Sequence, residues 1–347
     1  MDAPRFDRSV RENALFERAQ AIAAAHPRPV NRPFDANELR AIFRELAPTG
    51  YLASTLPKEA GGHGLSSLEF SALCEGLSPQ LTLLGNHSVQ RYLHQFGNAG
   101  QQKRYLPSLL EGEGIGAISM TEAQAGSDLE RMTTTARRVG NTYVIDGEKT
   151  WVTHGLAATV IVVLAKSEAG LTRFLVPGDA PGLRREALEP VGLGHLGFAR
   201  LTFRGCEVPV ELRLGEEGEG LKGTKAAFPI ARVLAAFQAV RIARSAVEMA
   251  RGYATDRVAA RTPLAASSLV QHGLAQLSAR CEAVRLLSLR VANDLAANDA
   301  VANASAAKAL AGELALEACR WAEDLLGSSS LHASHPLRCV SSATVMG

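Results

Sequence analysis

Between positions 270 and 295 the residues Val270, Leu274, Leu277, Cys281, Val284, Ser288, Val291 and Leu295 step by 4,3,4,3,4,3,4. That spacing holds one stripe of a long helix against a neighbour, and no strand, whose side-chain period is 2, can satisfy it. Flanking segments show related spacing, with Val233, Phe237, Val240, Val247 and Ala250 before it and Leu310, Leu314, Trp321 and Leu325 after it. The alanine-rich character of the last permits close helix approach, so residues 219–347 are expected to form a helix bundle. The bundle is expected to be incomplete, with one face left for another element or subunit.

The remainder divides by period. Residues 1–114 predict shorter helices. Asp35 with Glu38 opens one whose apolar face is Leu39, Ile42, Phe43 and Leu46, and Ser66 with Glu69 opens another, each pair forming a capping box. The Pro57–Leu65 stretch between them is too rich in glycine for a helix interior and reads as a loop. Over residues 115–218 the pattern turns to β: Thr133–Val139, Tyr143–Asp146 and Lys149–Thr153 are broken at Gly140-Asn141 and at Gly147, Val160–Ala165 and Thr172–Val176 flank a hairpin turn, and Ala199–Phe203 follows. Five or so short antiparallel strands predict a small barrel or sandwich.

Composition narrows the function classes. The 347 residues carry 37 Lys+Arg against 35 Asp+Glu, a net charge of +2, which does not fit a polyanion or membrane-surface binder. With 46% hydrophobic residues and a mean hydropathy of +0.01, the chain has the material for two or three packed cores. No apolar run reaches the roughly 20 residues of a membrane span, and the N-terminus has no basic-then-apolar leader, so a cytoplasmic protein is expected. Cys74, Cys206, Cys281, Cys319 and Cys339 are odd in number and widely spaced, as expected of reduced core thiols.

Several motifs fail on context. Gly192-Leu-Gly-His-Leu-Gly197 matches GxGxxG but precedes a strand where a dinucleotide site needs a helix. Gly215–Gly220 holds three glutamates that would repel a phosphate. His87 and His94 stand one helical heptad apart without a carboxylate between them, there is no HExxH, and Gly327-Ser-Ser-Ser330 is no GxSxG elbow. No metal site is expected.

The informative stretch is Ile118-Ser-Met-Thr-Glu-Ala-Gln-Ala-Gly-Ser-Asp128, followed after a hairpin by Gly147-Glu-Lys-Thr-Trp-Val-Thr153. A strand end, a turn of small residues with free amides, and an indole beside a hydroxyl would suit a flat ligand with polar edges. Local chemistry alone gives more weight to the plainer reading, a turn plus a core tryptophan.

Four motifs in order tip the balance. Leu56–Leu65, Phe96-Gly97 with Gln101–Pro107, Met120–Asp128 and Gly147–Thr153 resemble the PxxxGGxG, FGxxxQkxxyLP and flavin-binding patterns of the acyl-CoA dehydrogenase flavoprotein family. The resemblance covers nearly the whole chain. It implies a mainly α fold with a central β-barrel and a C-terminal helix bundle, and an enzyme that uses FAD to oxidise an acyl thioester. It further implies that Met120, Thr121, Gly126 and Ser127 contact the flavin edge, that Trp151 covers the ring, and that Thr153 bonds near flavin N5. Ser127 and Arg232 are implied for substrate, and Arg257, Gln271 and Gly327 for the diphosphate and adenine end of FAD. Implied partners are an acyl-CoA or acyl-carrier-protein substrate, an electron acceptor (electron-transfer flavoprotein or oxygen) and further copies of the chain, as a homodimer or homotetramer.

The chain also departs from the family pattern. RxxFGxP is Arg257-Val-Ala-Ala-Arg-Thr-Pro263, FGGxG is Leu326-Gly-Ser-Ser-Ser330, and Gly194–Ala199 replaces a polar stretch near the acyl handle. In most members a base takes the α proton while hydride leaves the β carbon. Its usual glutamate corresponds to Val345-Met346-Gly347, and its alternative location to Ala231. The catalytic base is therefore unassigned, and the last helix of the family is expected beyond residue 347. Three readings stay open: a dehydrogenase with non-standard or impaired proton abstraction, a reduced-flavin monooxygenase, and a catalytically silent partner subunit.

Overall fold

The computed structural model describes residues 7–29, 32–53, 56–82, 87–222, 224–259, 261–295, 299–332, 335 and 337. Five helices come first: α1 (Val10–Ala25), α2 (Ala36–Leu46), α3 (Ser67–Leu77), α4 (His87–Phe96) and α5 (Ala99–Leu110). Ser9/Glu12, Asp35/Glu38, Ser66/Glu69 and Asn98/Gln101 are reciprocal capping boxes at the starts of α1, α2, α3 and α5. Each satisfies two otherwise orphaned backbone N–H groups, which is why these starts are sharp. Leu39, Ile42, Phe43 and Leu46 are all buried, as their spacing predicts.

The strands are β1 (Gly116–Ser119), β2 (Thr135–Val139), β3 (Thr142–Val152), β4 (Val160–Ser167), β5 (Gly170–Pro177), β6 (Leu183–Ala187), β7 (Ala199–Pro209) and β8 (Arg213–Leu214). They form one sheet in the order β6-β7-β3-β2-β4-β5-β8, with β1 beside β4. The expected barrel is thus an open sheet, since β6 and β8 end the path without pairing to each other among the described residues. Nor is it wholly antiparallel: β1 runs parallel to β4. Gly147 does not end a strand. It sits in a register shift of β3 at φ +145, where an added Cβ would lie 2.6 Å from Thr134 Oγ1, so the bulge needs glycine.

Beyond the sheet come α6 (Thr224–Asp256), a two-residue hairpin of β9 (Val258–Ala259) and β10 (Thr262–Pro263), α7 (Ser268–Asn293) and α8 (Ala300–Leu326). In α6 the predicted stripe Val233, Phe237, Val240, Val247 and Ala250 is buried. In α8 Leu314 of the predicted stripe is buried and Trp321 and Leu325 pack against the core beside a buried alanine line, Ala304, Ala307, Ala311, Ala315, Ala318 and Ala322, while Leu310 is 47% exposed. Small side chains let α8 lie close along α6, and Leu310 falls off that line of contact.

Two cores result. One joins α1–α3 to the bundle through residues such as Phe43, Leu77, Ile242 and Leu314. The other joins α4 and α5 to the sheet through Val89, Leu93, Leu109, Ile161 and Phe174. Leu93, fully buried there, contributes about 1.5–3 kcal/mol of transfer free energy by itself. Gln101 adds a polar stitch, donating from Nε2 to the carbonyls of Glu211 at 2.8 Å and Arg213 at 2.7 Å. The seam between the two cores is where the candidate site lies. Cys74, Cys206, Cys281 and Cys319 are free and buried, and Cys339 falls outside the described residues.

Candidate active site

After β1 the chain makes a tight turn in which Glu122 and Ala125 exchange backbone hydrogen bonds of 2.9 and 3.1 Å. Glu122 then points inward. Its carboxylate accepts from the Thr133 amide at 2.7 Å, the Thr134 amide at 3.0 Å and Lys149 Nζ at 2.9 Å. Burial pushes this carboxyl up, but hydrogen bonds from the Thr133–Thr134 segment and Lys149 outweigh it and hold the group at about 2. Lys149 donates also to the Met120 carbonyl at 3.1 Å, and the Thr150 amide to the Thr121 carbonyl at 2.9 Å. The exit of β1 is thereby sewn to the end of β3, which brings Met120 and Thr121 beside the segment carrying Trp151 and Thr153.

That end of β3 is irregular. A second register shift falls between Lys149 and Val152, and Trp151 within it has φ +56. A left-handed backbone is strained for a bulky side chain and persists only where its surroundings impose it. The result is an indole 52% exposed, edge-on to Phe198 at 5.9 Å. Trp151 is therefore no core tryptophan, contrary to the plainer reading of its motif. Gly126 and Ser127 are exposed on the neighbouring turn, and a Cβ on Gly126 would meet nothing within 4 Å. The open turn and the presented indole fit a flat ligand.

Thr153 lines a cavity of about 270 Å³, just below the usual ligand-pocket range of about 300–1,000 Å³. Its walls come from three stretches: Tyr51, Cys74 and His87–Val89 from the N-terminal helices, Gly116–Ile118 from β1, and Ala231, Leu234, Ala235 and Gln238 from α6. Met120, Thr121, Gly126, Ser127 and Trp151 do not line it. No Asp, Glu, Lys or Arg side chain lines it among the described residues. Burial pulls the His87 imidazole down to about 3, helped by Arg91 and His154, so it is neutral at pH 7. Burial likewise pushes the Cys74 thiol and the Tyr51 phenol up, leaving every titratable wall group uncharged.

Arg257, Gln271 and Gly327 lie elsewhere, towards the far end of the bundle. Arg257 and Gln271 are exposed on either side of the β9–β10 hairpin, with Gln271 Nε2 donating to the Ala265 carbonyl at 2.9 Å. Gly327 closes α8 at φ +54, and Trp321, two turns earlier, packs where a Cβ on Gly273 of α7 would come within 2.6 Å of the indole. At about 1.5 Å per residue, the end of α6 is roughly 27 Å along its axis from Gln238 in the cavity wall. Arg257, Gln271 and Gly327 do not line the cavity that Thr153 lines. Arg232 donates to Ser305 Oγ at 3.1 Å on α8, next to Ala231 in the wall. Ala260 and Val345-Met346-Gly347 lie outside the described residues.

Glu122, Lys149 and Gln238 are not singled out by the sequence, and His87 stands out there only in a heptad pair with His94 that fails as a metal site. The first two lie inside the motifs that resemble the flavin-binding pattern, so their pairing has a signal there. Gln238 has none, because a polar residue on an apolar stripe becomes meaningful only when the opposite wall is known.

Comparison with known proteins agrees with this architecture. Residues 9–113, 117–206 and 218–343 match the models of the acyl-CoA dehydrogenase N-terminal, middle and C-terminal domains. The chain is 38% identical over 264 residues to the benzylmalonyl-CoA dehydrogenase of Aromatoleum aromaticum, spanning 73% of this chain and 70% of that one. Its fold superposes on butyryl-CoA dehydrogenase from Megasphaera elsdenii with a TM-score of 0.90 at 24% identity, covering 100% and 95% of the two chains. It superposes also on a glutaryl-CoA dehydrogenase of Mycobacterium smegmatis solved with FADH2, with a TM-score of 0.85 at 23% identity over 99% and 92%. The chain belongs to the acyl-CoA dehydrogenase family, whose members are flavoprotein oxidoreductases. No described helix is long and apolar enough to cross a membrane.

Proposed function

We propose that this protein binds FAD along the Met120–Ser127 turn and Trp151 and oxidises an acyl thioester whose chain enters the cavity at Thr153. The observation that carries the reading is Trp151, held at φ +56 and half exposed, two residues before a threonine of the cavity wall. FAD, when bound, would supply the acceptor for the hydride leaving the β carbon as the Cα–Cβ single bond becomes double. The chain's own part is position: Thr153 presents a hydroxyl where ring and cavity meet, the amides near Thr121 and Ser127 offer donors to a polar edge, and the uncharged wall excludes water from the acyl chain. Arg257, Gln271 and Gly327 are assigned to the phosphate and adenine end, supplied by a second copy in a homodimer or homotetramer. Arg257, Gln271 and Gly327 are exposed there, open to a partner copy, which supports that assignment.

Proton removal is assigned a non-standard or impaired course. Ala231, at the family's alternative base location, is an apolar wall residue, and no carboxylate lines the cavity among the described residues. A positioned base contributes about 10²- to 10⁴-fold in rate. The same observation favours a second reading, a reduced-flavin monooxygenase, whose chemistry needs no α-proton removal. Anaerobic addition of acyl-CoA and acyl-carrier-protein thioesters of graded length to the yellow protein tests both. Bleaching of the flavin is expected for the dehydrogenase. Absence of bleaching together with oxygen uptake driven by supplied reduced flavin would transfer the assignment to the monooxygenase, and failure to bind FAD at all would remove both.

A further inference from the structure

His195, in the Gly192–Gly197 loop that fails as a dinucleotide motif, is 2% exposed. Its Nε2 lies 3.1 Å from the Thr82 carbonyl and its Nδ1 3.5 Å from Nη1 of Arg28, while Phe34 meets the ring edge-on at 6.1 Å between centroids. A carbonyl only accepts and a guanidinium only donates, so the two contacts select one tautomer: Nε2 carries the proton and Nδ1 is bare. Arg28 is itself anchored, donating from Nη2 to the Pro79 carbonyl at 2.8 Å. Contacts then run outward from the ring in two directions. On the sheet side, the carbonyl of the next residue, Leu196, accepts from the His154 amide at 2.9 Å, Ala199 pairs with Val152, and Phe198 meets the Trp151 indole. The loop therefore lies along the segment that carries Trp151 and Thr153. On the helix side, Thr82 Oγ1 lies 3.1 Å from Ser78 Oγ, which donates at 3.2 Å to the carbonyl of Gln238, a residue of the α6 cavity wall.

We propose that His195 is a positioning residue that fixes the Trp151–Thr153 segment against the α6 wall of the cavity. The inference rests on the FAD and acyl-thioester reading for the use made of that geometry, and adds to it the residue that sets the geometry. Trp151 holds a left-handed backbone, at φ +56, that only its surroundings can impose. The loop beside it is one of those surroundings, and the bond from His195 to Thr82 ties that loop across the seam between the two cores. Ser78 and Thr82 are buried, so no water takes over the tie once the imidazole donor is lost. The loop and the Trp151–Thr153 segment then relax, and part of the binding free energy of FAD goes into restoring them.

The test compares His195→Gln with His195→Asn. The glutamine amide nitrogen stands the same number of bonds from Cα as imidazole Nε2, so it keeps the donor to Thr82, whereas asparagine reaches only as far as Nδ1 and loses it. In a flavin fluorescence titration the Gln variant is expected to bind FAD within about twofold of the wild type and the Asn variant about fivefold more weakly, the worth of one hydrogen bond. The His154 amide is expected to exchange with solvent faster in the Asn variant than in the Gln variant. A lower melting temperature of the Asn variant with unchanged FAD affinity, or equal weakening in both variants, overturns the positioning role and leaves the FAD reading intact. Failure of the wild type to bind FAD overturns both. Should the Asn variant not fold, the ring ¹⁵N shifts of His195 in the wild type decide: a proton on Nε2 is expected, and a proton on Nδ1 overturns the tie to Thr82.

Discussion

Glu122 and Lys149, 27 residues apart in sequence, meet at 2.9 Å with their side chains 1% and 0% exposed. Removing either partner would strand the other charge out of water. Glu122→Gln and Lys149→Met are each expected to lose roughly 3–5 kcal/mol of folding stability, and the double variant less than the sum. The pH dependence has a definite sign. The Glu122 carboxyl is held at about 2 against an ordinary 4.5, so its stabilisation is complete above about pH 4.5 and fades as the pH falls towards 2. Urea denaturation at pH 7 and pH 3 is therefore expected to show a smaller Glu122→Gln penalty at the lower pH. An equal penalty at both would contradict the pairing.

Three buried histidines predict a second acid response. Burial holds His87 and His195 at about 3 and His154 at about 4, all below the ordinary 6.5. Each group takes up its proton in the unfolded chain first, so stability is full above pH 6.5 and declines as the pH falls below it. Each contributes a slope of about 1.4 kcal/mol per pH unit, together about 4, between pH 6 and 4.5. Replacing one of them by a residue that does not titrate is expected to reduce the measured slope by about a third.

Trp151 sets stability against binding. Trp151→Gly removes a strained left-handed conformation worth about 1–3 kcal/mol, which offsets the lost contact with Phe198. The melting temperature is expected to stay level or rise while FAD binds about tenfold more weakly, from the lost stacking surface. Flavin fluorescence titration reads the second effect. Unchanged affinity would remove Trp151 from the cofactor seat.

Ala231→Glu tests the impaired-base part of the reading. The substitution places a carboxylate in the wall of the cavity that Thr153 and His87 also line. Flavin reduction by a bound acyl thioester, followed by stopped-flow absorbance, is expected to quicken by roughly 10²-fold or more. No change in rate would indicate that proton removal does not limit the step.

How much of this is legible in the sequence differs by element. Asp35/Glu38 and Ser66/Glu69 mark their helices to the residue, because a capping box is a local device whose chemistry is complete within four residues. Strands β1, β6 and β8 leave no such mark, since strands of two to five residues are defined by distant partners rather than by their own pattern. Gly147 reads in sequence as a strand break, whereas the bulge it permits is visible only with Thr134 across from it. The residues proposed for the flavin edge stand in contiguous motifs. The cavity does not, because Cys74, His87, Ile118 and Gln238 are brought together by the packing of two cores.

That cavity belongs to no single stretch of the chain. Its walls are contributed in three instalments, from before residue 90, from the β1 and Thr153 region, and from α6. A fragment carrying any one of them would fold, if at all, around an open groove. Whatever occupies the cavity thus acts as mortar between the two cores, and its binding free energy appears as resistance of the whole molecule, rather than of one part, to coming apart.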